Sequence, residues 1–99
     1  MTTPLELSAR RDADGVTVLA AAGEIDMSNA ADFRDALGKA GTDDAGFIVD
    51  LTAVHYLDSA GLTALLPYAA RIKIIATTML APVLSVSGLD SITTVVPAP

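Results

Sequence analysis

Ser59 is the residue in this chain best placed to do chemistry. In Val54-His55-Tyr56-Leu57-Asp58-Ser59-Ala60-Gly61-Leu62 it stands where the apolar, β-branched run Phe47-Ile48-Val49-Asp50-Leu51 gives way to Leu62, Leu65, Leu66 and Ala69 at helical spacing. A hydroxyl at a strand-to-helix junction lies near unpaired backbone N–H groups and the positive end of the helix dipole, a setting that stabilises an added phosphate. The plainer reading of the same position is a helix cap.

Other chemistries find less support in the residues. Leu57-Asp58-Ser59-Ala60-Gly61 lacks the first glycine of a Gly-x-Ser-x-Gly nucleophile elbow, and the sole histidine, His55, precedes Ser59 instead of following it. Without a base in the right order Ser59 is a weak nucleophile, so hydrolysis is not expected. Asp12, Asp14 and Gly15 suggest a calcium loop only superficially, because the matching first and last ligand positions are Arg10 and Ala21. A hairpin turn explains them better. With one histidine, no cysteine and no glycine-rich phosphate loop, no transition-metal cluster, nucleotide site or obligatory cofactor is expected. Glu24, Asp26 and Asp58 remain as carboxylates that could bind a cation, raise one another's pKa or meet a partner's Arg and Lys.

The elements that must position these groups follow from periodicity. Leu5, Leu7 and Ala9 alternate with Glu6, Ser8 and Arg10 as on a strand with one wet face, and Asp12-Ala13-Asp14-Gly15 turns the chain into a buried return strand over Val16 to Ala22. Gly23-Glu24-Ile25-Asp26 then leads out of the sheet. Ser28 or Asn29 caps a helix that carries Ala30, Phe33, Leu37 and Ala40 on one face and stops at Gly41. After the loop Thr42-Asp43-Asp44-Ala45-Gly46 comes a strand over Phe47 to Leu51. The remainder reads as a helix from about Ser59 to Ala70, a strand near Lys73 to Thr77, a short helix around Pro82 to Val86 and a strand at Ile92 to Val96. Pro67 interrupts the second helix, where it removes a hydrogen bond at a cost of roughly 3 kcal/mol. The order ββαβαβαβ implies an α/β fold, a mixed sheet with helices packed against it, in a single domain over residues 1–99.

Composition bounds the rest. Hydrophobic residues make up 52% of the 99 residues and aromatics only 4%, enough for one aliphatic core. The absence of cysteine fits a reducing compartment, and the first residues lack a secretory signal, so a cytoplasmic location is expected. The uncharged stretch Ile74 to Leu89 is too short and too interrupted for membrane insertion. The net charge of −6 opposes direct nucleic-acid binding. Eleven of the acids fall at or before Asp58, leaving a nearly uncharged C-terminal part that suits either a core or a covered surface, self-association included.

Gly23-Glu24-Ile25-Asp26, the strand ending in Asp50-Leu51, and Asp58-Ser59-Ala60-Gly61-Leu62 resemble the successive signatures of STAS domains, in particular bacterial anti-sigma factor antagonists. Ser87-Gly88-Leu89-Asp90 is similar to the family's late Gly-Leu turn. Relative to the family the second helix is short and the terminal helix after the last strand is absent. The resemblance implies a STAS-like fold and a phosphoprotein in which Ser59 accepts phosphate. It also implies that Gly23, Glu24, Asp26, Ser28, Asp58, Ser59, Ala60, Gly61 and Leu62 form the partner-binding surface. The implied partner is an anti-sigma factor with serine kinase activity, bound while Ser59 is unmodified so that a sigma factor is released, with a phosphatase to reverse the modification. Ala60 replaces the second of two adjacent serines found in some members. The alternative implied by the same fold is a constitutive interaction module of a transporter or stress-signalling complex.

Overall fold

The computed structural model describes residues 3–42 and 45–99, so Asp43 and Asp44 of the predicted loop lie outside the described residues. Its elements follow the expected order: β1 (Glu6–Arg11), β2 (Thr17–Ile25), α1 (Ala30–Ala40), β3 (Phe47–Leu57), α2 (Ser59–Leu65), β4 (Ile72–Ala76), α3 (Ala81–Val86) and β5 (Thr94–Pro97). Two 3₁₀ turns, Leu66–Tyr68 and Leu89–Ser91, follow α2 and α3. The strands form one sheet in the order β1-β2-β3-β4-β5. The β1–β2 pair is antiparallel, and all later pairs are parallel.

The hairpin is built as its sequence requires. The Asp12 Oδ1 accepts from the Asp14 and Val16 N–H groups, both at 2.9 Å, and Gly15 takes φ 80°, where a side chain would be strained. Each later crossover joins neighbouring parallel strands in the same sense, and right-handed crossovers then put α1, α2 and α3 on one face of the sheet. The core lies there: Leu19, Ile25, Val49, Leu51 and Ile74 pack against Phe33 and Leu37 of α1, Leu65 of α2 and Leu84 of α3. Phe33, Leu37, Ile25, Val49, Leu51, Leu65, Ile74 and Leu84 are wholly buried, which makes this face the main source of stability.

Two strands run further than the sequence suggests. β2 continues through Gly23-Glu24-Ile25 instead of leaving the sheet, because β3 also continues, to Leu57, and pairs Glu24 with Tyr56 and Ile25 with Leu57. β3 holds two one-residue irregularities in register, one between Asp50 and Ala53 and one between Val54 and Tyr56. At each, two consecutive residues are exposed, Thr52-Ala53 and His55-Tyr56, so the alternation that marks a strand slips while the strand continues. His55 is thus an exposed residue of β3.

The second helix stops at Leu65, short of the expected Ala70. Pro67 sits at the start of the 3₁₀ turn Leu66–Tyr68, where its missing N–H costs little, and the penalty of a mid-helix proline is avoided. Phe47 and Tyr68 then meet edge to face at 5.9 Å, with the Arg71 guanidinium 5.6 Å from the Tyr68 ring. The last strand begins at Thr94, two residues later than expected, because Leu89–Ser91 forms its own turn after Gly88 adopts φ 81°.

Candidate functional site

The parallel pairing of β2 and β3 brings the two sequence motifs to the same end of the sheet. The Asp58 N–H donates to the Ile25 carbonyl at 3.2 Å, so the chain leaving β3 is tied to the last residue of β2. α2 begins at once and rests on that pair. A Cβ at Gly61 would overlap Leu57 Cδ1 and come within 2.8 Å of Ile25 Cγ2, so the close approach of this helix to the sheet depends on glycine. Gly23 answers to the same kind of constraint, with φ 99° and the Pro4 carbonyl oxygen where its side chain would be.

Asp58 caps α2. Its backbone is extended and its Oδ1 accepts from the Ala60 N–H at 2.9 Å and more weakly from the Gly61 N–H at 3.4 Å. Ser59 is therefore the first helical residue and not the cap, and two of the first-turn N–H groups expected to cradle a phosphate, those of Ala60 and Gly61, already bond the Asp58 carboxylate. The Ser59 hydroxyl is exposed and makes no hydrogen bond among the described residues; its carbonyl accepts from the Thr63 hydroxyl at 2.8 Å.

The loop from β2 to α1 lies beside this turn and is held differently. Neither Ser28 nor Asn29 caps α1 through its side chain. Ser28 donates from both N–H (2.9 Å) and Oγ (2.5 Å) to the Asp26 Oδ1. Asn29 staples the loop, accepting from the Asp26 N–H at 3.0 Å and donating to the Glu24 carbonyl at 2.9 Å. These bonds hold the Asp26 carboxyl below its usual pKa, the Ser28 hydroxyl contributing most and the Ser28 N–H next. The Glu24 Oε2 accepts from the Thr3 N–H at 2.6 Å.

Glu24, Asp26 and Asp58 thus share one end of the sheet, yet each carboxylate is bonded to nearby backbone and not aimed into a common site. No group of three or more acidic or histidine side chains among the described residues is arranged to hold a metal ion. His55 and Ser59 share no hydrogen bond. Ala60 is half-buried, Gly61 buried and Leu62 half-buried, so of the α2 residues expected at the surface Ser59 alone is fully presented.

The residues that sequence reasoning missed lie across α2. Ser59, Leu62, Thr63 and Leu66 line one side of a shallow groove of about 230 Å³, and Ser87 and Leu89 line the other. The spacing 59, 62, 63, 66 is one helical face and was readable as such. Ser87 and Leu89 arrive only through the fold. Leu66 and Val86 stand exposed nearby, Val86 at 91%.

Comparison with known proteins follows the same geometry. The STAS domain profile matches residues 9–80. Anti-sigma-F factor antagonist RsfB of Mycobacterium tuberculosis is 42% identical over 55 residues, an alignment spanning 54% of this chain and 45% of that protein, so the match covers less than half of the relative's length. The crystal structure of an anti-sigma factor antagonist from Mycobacterium paratuberculosis superposes with a TM-score of 0.86 at 27% identity, covering 99% of this chain and 92% of that one. The anti-sigma factor antagonist SpoIIAA in its unphosphorylated form shares the fold, with a TM-score of 0.68 at 17% identity over 95% of this chain and 89% of its own. With five strands, three helices and a profile match over most of its length, the chain belongs to the STAS domain family.

Proposed function

We propose that this protein is an anti-sigma factor antagonist, a binding protein and not an enzyme, whose contact with a serine-kinase anti-sigma factor is controlled by phosphorylation of Ser59. The observation that carries the reading is the state of the Ser59 hydroxyl: exposed, unbonded, and held on a helix fixed to the sheet by Gly61 and Asp58. Named relatives that are anti-sigma factor antagonists support the coarser part. In the unmodified state the groove beside Ser59, with Leu62 and Leu66, docks on the anti-sigma factor together with the Glu24–Ser28 loop, and the sigma factor is released in the cytoplasm. The kinase forms a bond from Ser59 Oγ to the γ-phosphorus of ATP as the bond to ADP breaks, and the hydroxyl proton passes to a base on the kinase.

The modification adds about −1.5 to −2 charges at neutral pH. Because Asp58 already occupies the Ala60 and Gly61 N–H groups, the phosphate competes with a carboxylate for those donors, sits beside it and is directed toward the partner. Repulsion and desolvation then fall on the interface and the fold need not change. A loss of about 2.7 kcal/mol weakens binding roughly a hundredfold. A phosphatase would restore the binding form.

The second reading, a constitutive STAS module, is favoured by the apolar exposure of Leu66, Val86 and Ile92, which a permanent partner would cover. Intact-mass analysis with ATP and a candidate anti-sigma kinase separates the two. One phosphate gained by the wild type and none by Ser59→Ala supports the switch. Stable binding with no phosphate transferred, or equal binding by wild type and well-folded Ser59→Asp, overturns it in favour of the constitutive module.

A further inference from the structure

We propose that the helix-free face of the sheet is a self-complementary surface on which two copies of this chain associate face to face about a two-fold axis. The three helices all lie on the other side, and the strand pairings place the residues of the open face in register. One row across the sheet reads Arg10, Val18, Ile48, Lys73 and Thr94; the next reads Ser8, Ala20, Asp50, Ile75 and Val96; a third begins Glu6, Ala22 and Ala53. Val18 is buried yet stands outside the contiguous core cluster, as expected of a residue on this second face. Ala20, Ile48, Ile75 and Val96 are half-buried, and small side chains leave a depression of about 320 Å³ between Ser8, Ala22 and Ala53.

The charges select a second copy as the occupant. Glu6, Arg10 and Lys73 are exposed, and their side chains make no hydrogen bond or ion pair among the described residues. The Asp50 Oδ1 serves the Thr52 N–H and hydroxyl, which leaves its other oxygen available. On β1, Arg10 and Glu6 are equally far from Ser8. A two-fold axis lying in the plane between two sheets and crossing the strands along the Ser8 row therefore sets each Arg10 over the Glu6 of the other copy. The same operation stacks Ala20, Ile75 and Val96 on their own counterparts and brings two Asp50 carboxylates together between two Lys73 ammonium groups. Basic and acidic groups at opposite ends of one face are what an isologous contact uses.

The area sets the strength. Five strands about 4.8 Å apart, crossed by three rows roughly 7 Å apart, give on the order of 400 Å² per copy, about half that of a standard interface, so the dimer is weak. Ser59 lies on the helical side and takes no part. The inference stands independently of the phosphorylation reading.

Sedimentation velocity of the full chain from about 10 μM to about 1 mM tests it. The expected result is a concentration-dependent monomer–dimer equilibrium that weakens with salt. Arg10→Glu should raise the dissociation constant roughly tenfold or more by setting carboxylate against carboxylate at both ends. The double variant Glu6→Arg/Arg10→Glu should restore the dimer to within about threefold of wild type, a rescue that non-specific damage to the fold cannot produce. Ser59→Asp should leave the equilibrium unchanged. A wild-type chain still monomeric at about 1 mM, a dimer indifferent to Arg10→Glu, or a natively folded double variant that stays monomeric would overturn the proposal.

Discussion

Ser28 and Ser59 sit at the same end of the sheet, each in a turn led by an aspartate, and their hydroxyls have opposite fates. Ser28 lies two residues after Asp26, so both its N–H and its Oγ fold back onto the Asp26 Oδ1. Thr52 repeats the pattern two residues after Asp50. Ser59 follows Asp58 directly, and the Asp58 carboxylate reaches past it to the N–H groups of Ala60 and Gly61. A hydroxyl two residues after an aspartate is consumed by the turn; one immediately after it is left outside. The difference of one residue in spacing separates a serine bonded into its turn from one whose hydroxyl is left exposed.

The contrast extends to how firmly each serine is held, and the largest expected effect lies there. Gly61→Val forces a branched side chain against Leu57 and Ile25 in the core beneath Ser59, and should lower unfolding stability by about 3 kcal/mol in urea titration. Met27→Ala, at an 83% exposed position beside Ser28, should change it by less than about 0.5 kcal/mol. Comparable losses from the two substitutions would show that α2 is not pressed onto the sheet as described.

Next in size is the response to added charge. Ser59→Asp should weaken binding to the anti-sigma factor by roughly 10- to 100-fold, about 1.4 to 2.7 kcal/mol, as read by calorimetric titration. Ser28→Asp, which lies in the docking loop but outside the groove that Ser59 lines, should weaken binding less than Ser59→Asp does. Equal weakening by both would erase the distinction between the two serines. A smaller effect is expected from Asp58→Ala, which removes the cap and should cost about 1 kcal/mol of stability. Amide exchange should also quicken at Ala60 and Gly61, whose N–H groups lose their acceptor; unchanged protection at both would place the cap elsewhere.

Much of this arrangement was legible before the structure. The element order, the hairpin turn at Asp12–Gly15, the apolar face of α1, the stop at Gly41 and the position of Ser59 all follow from local periodicity and turn chemistry. The extensions of β2 and β3 were not, because the irregularities at Thr52-Ala53 and His55-Tyr56 shift the side-chain alternation twice within one strand and make it read as loop. The identity of the cap was also hidden. Asp58 and Ser59 are both good capping types, and only the helix start decides between them. The end of α2 is hidden for a similar reason: Pro67 is compatible with a kink or a stop, and the local sequence does not choose between them. The neighbours Ser87 and Leu89 across the groove, and the shared row of Arg10 and Lys73, are consequences of strand order and register that no local window contains.

The smallest expected effect concerns acid stability, and it tests the Ser28 side of the comparison directly. The Asp26 carboxyl is held below its ordinary value of 3.8, first by the Ser28 hydroxyl and then by the Ser28 N–H. A carboxyl with a lowered folded-state pKa binds fewer protons in the native than in the unfolded chain. Its contribution is therefore fully present above the unfolded value and is lost as pH falls through the folded one. The melting-temperature difference between wild type and Asp26→Asn should then be constant above about pH 5 and shrink as pH falls below about 4. Ser28→Ala should reduce that pH dependence by removing the largest cause while retaining the backbone donor. A difference that stays constant down to about pH 2 would mean that the Ser28 hydroxyl is not bound to Asp26 in solution. Ser28 would then be as free as Ser59, and the spacing from the leading aspartate would no longer explain which serine is presented.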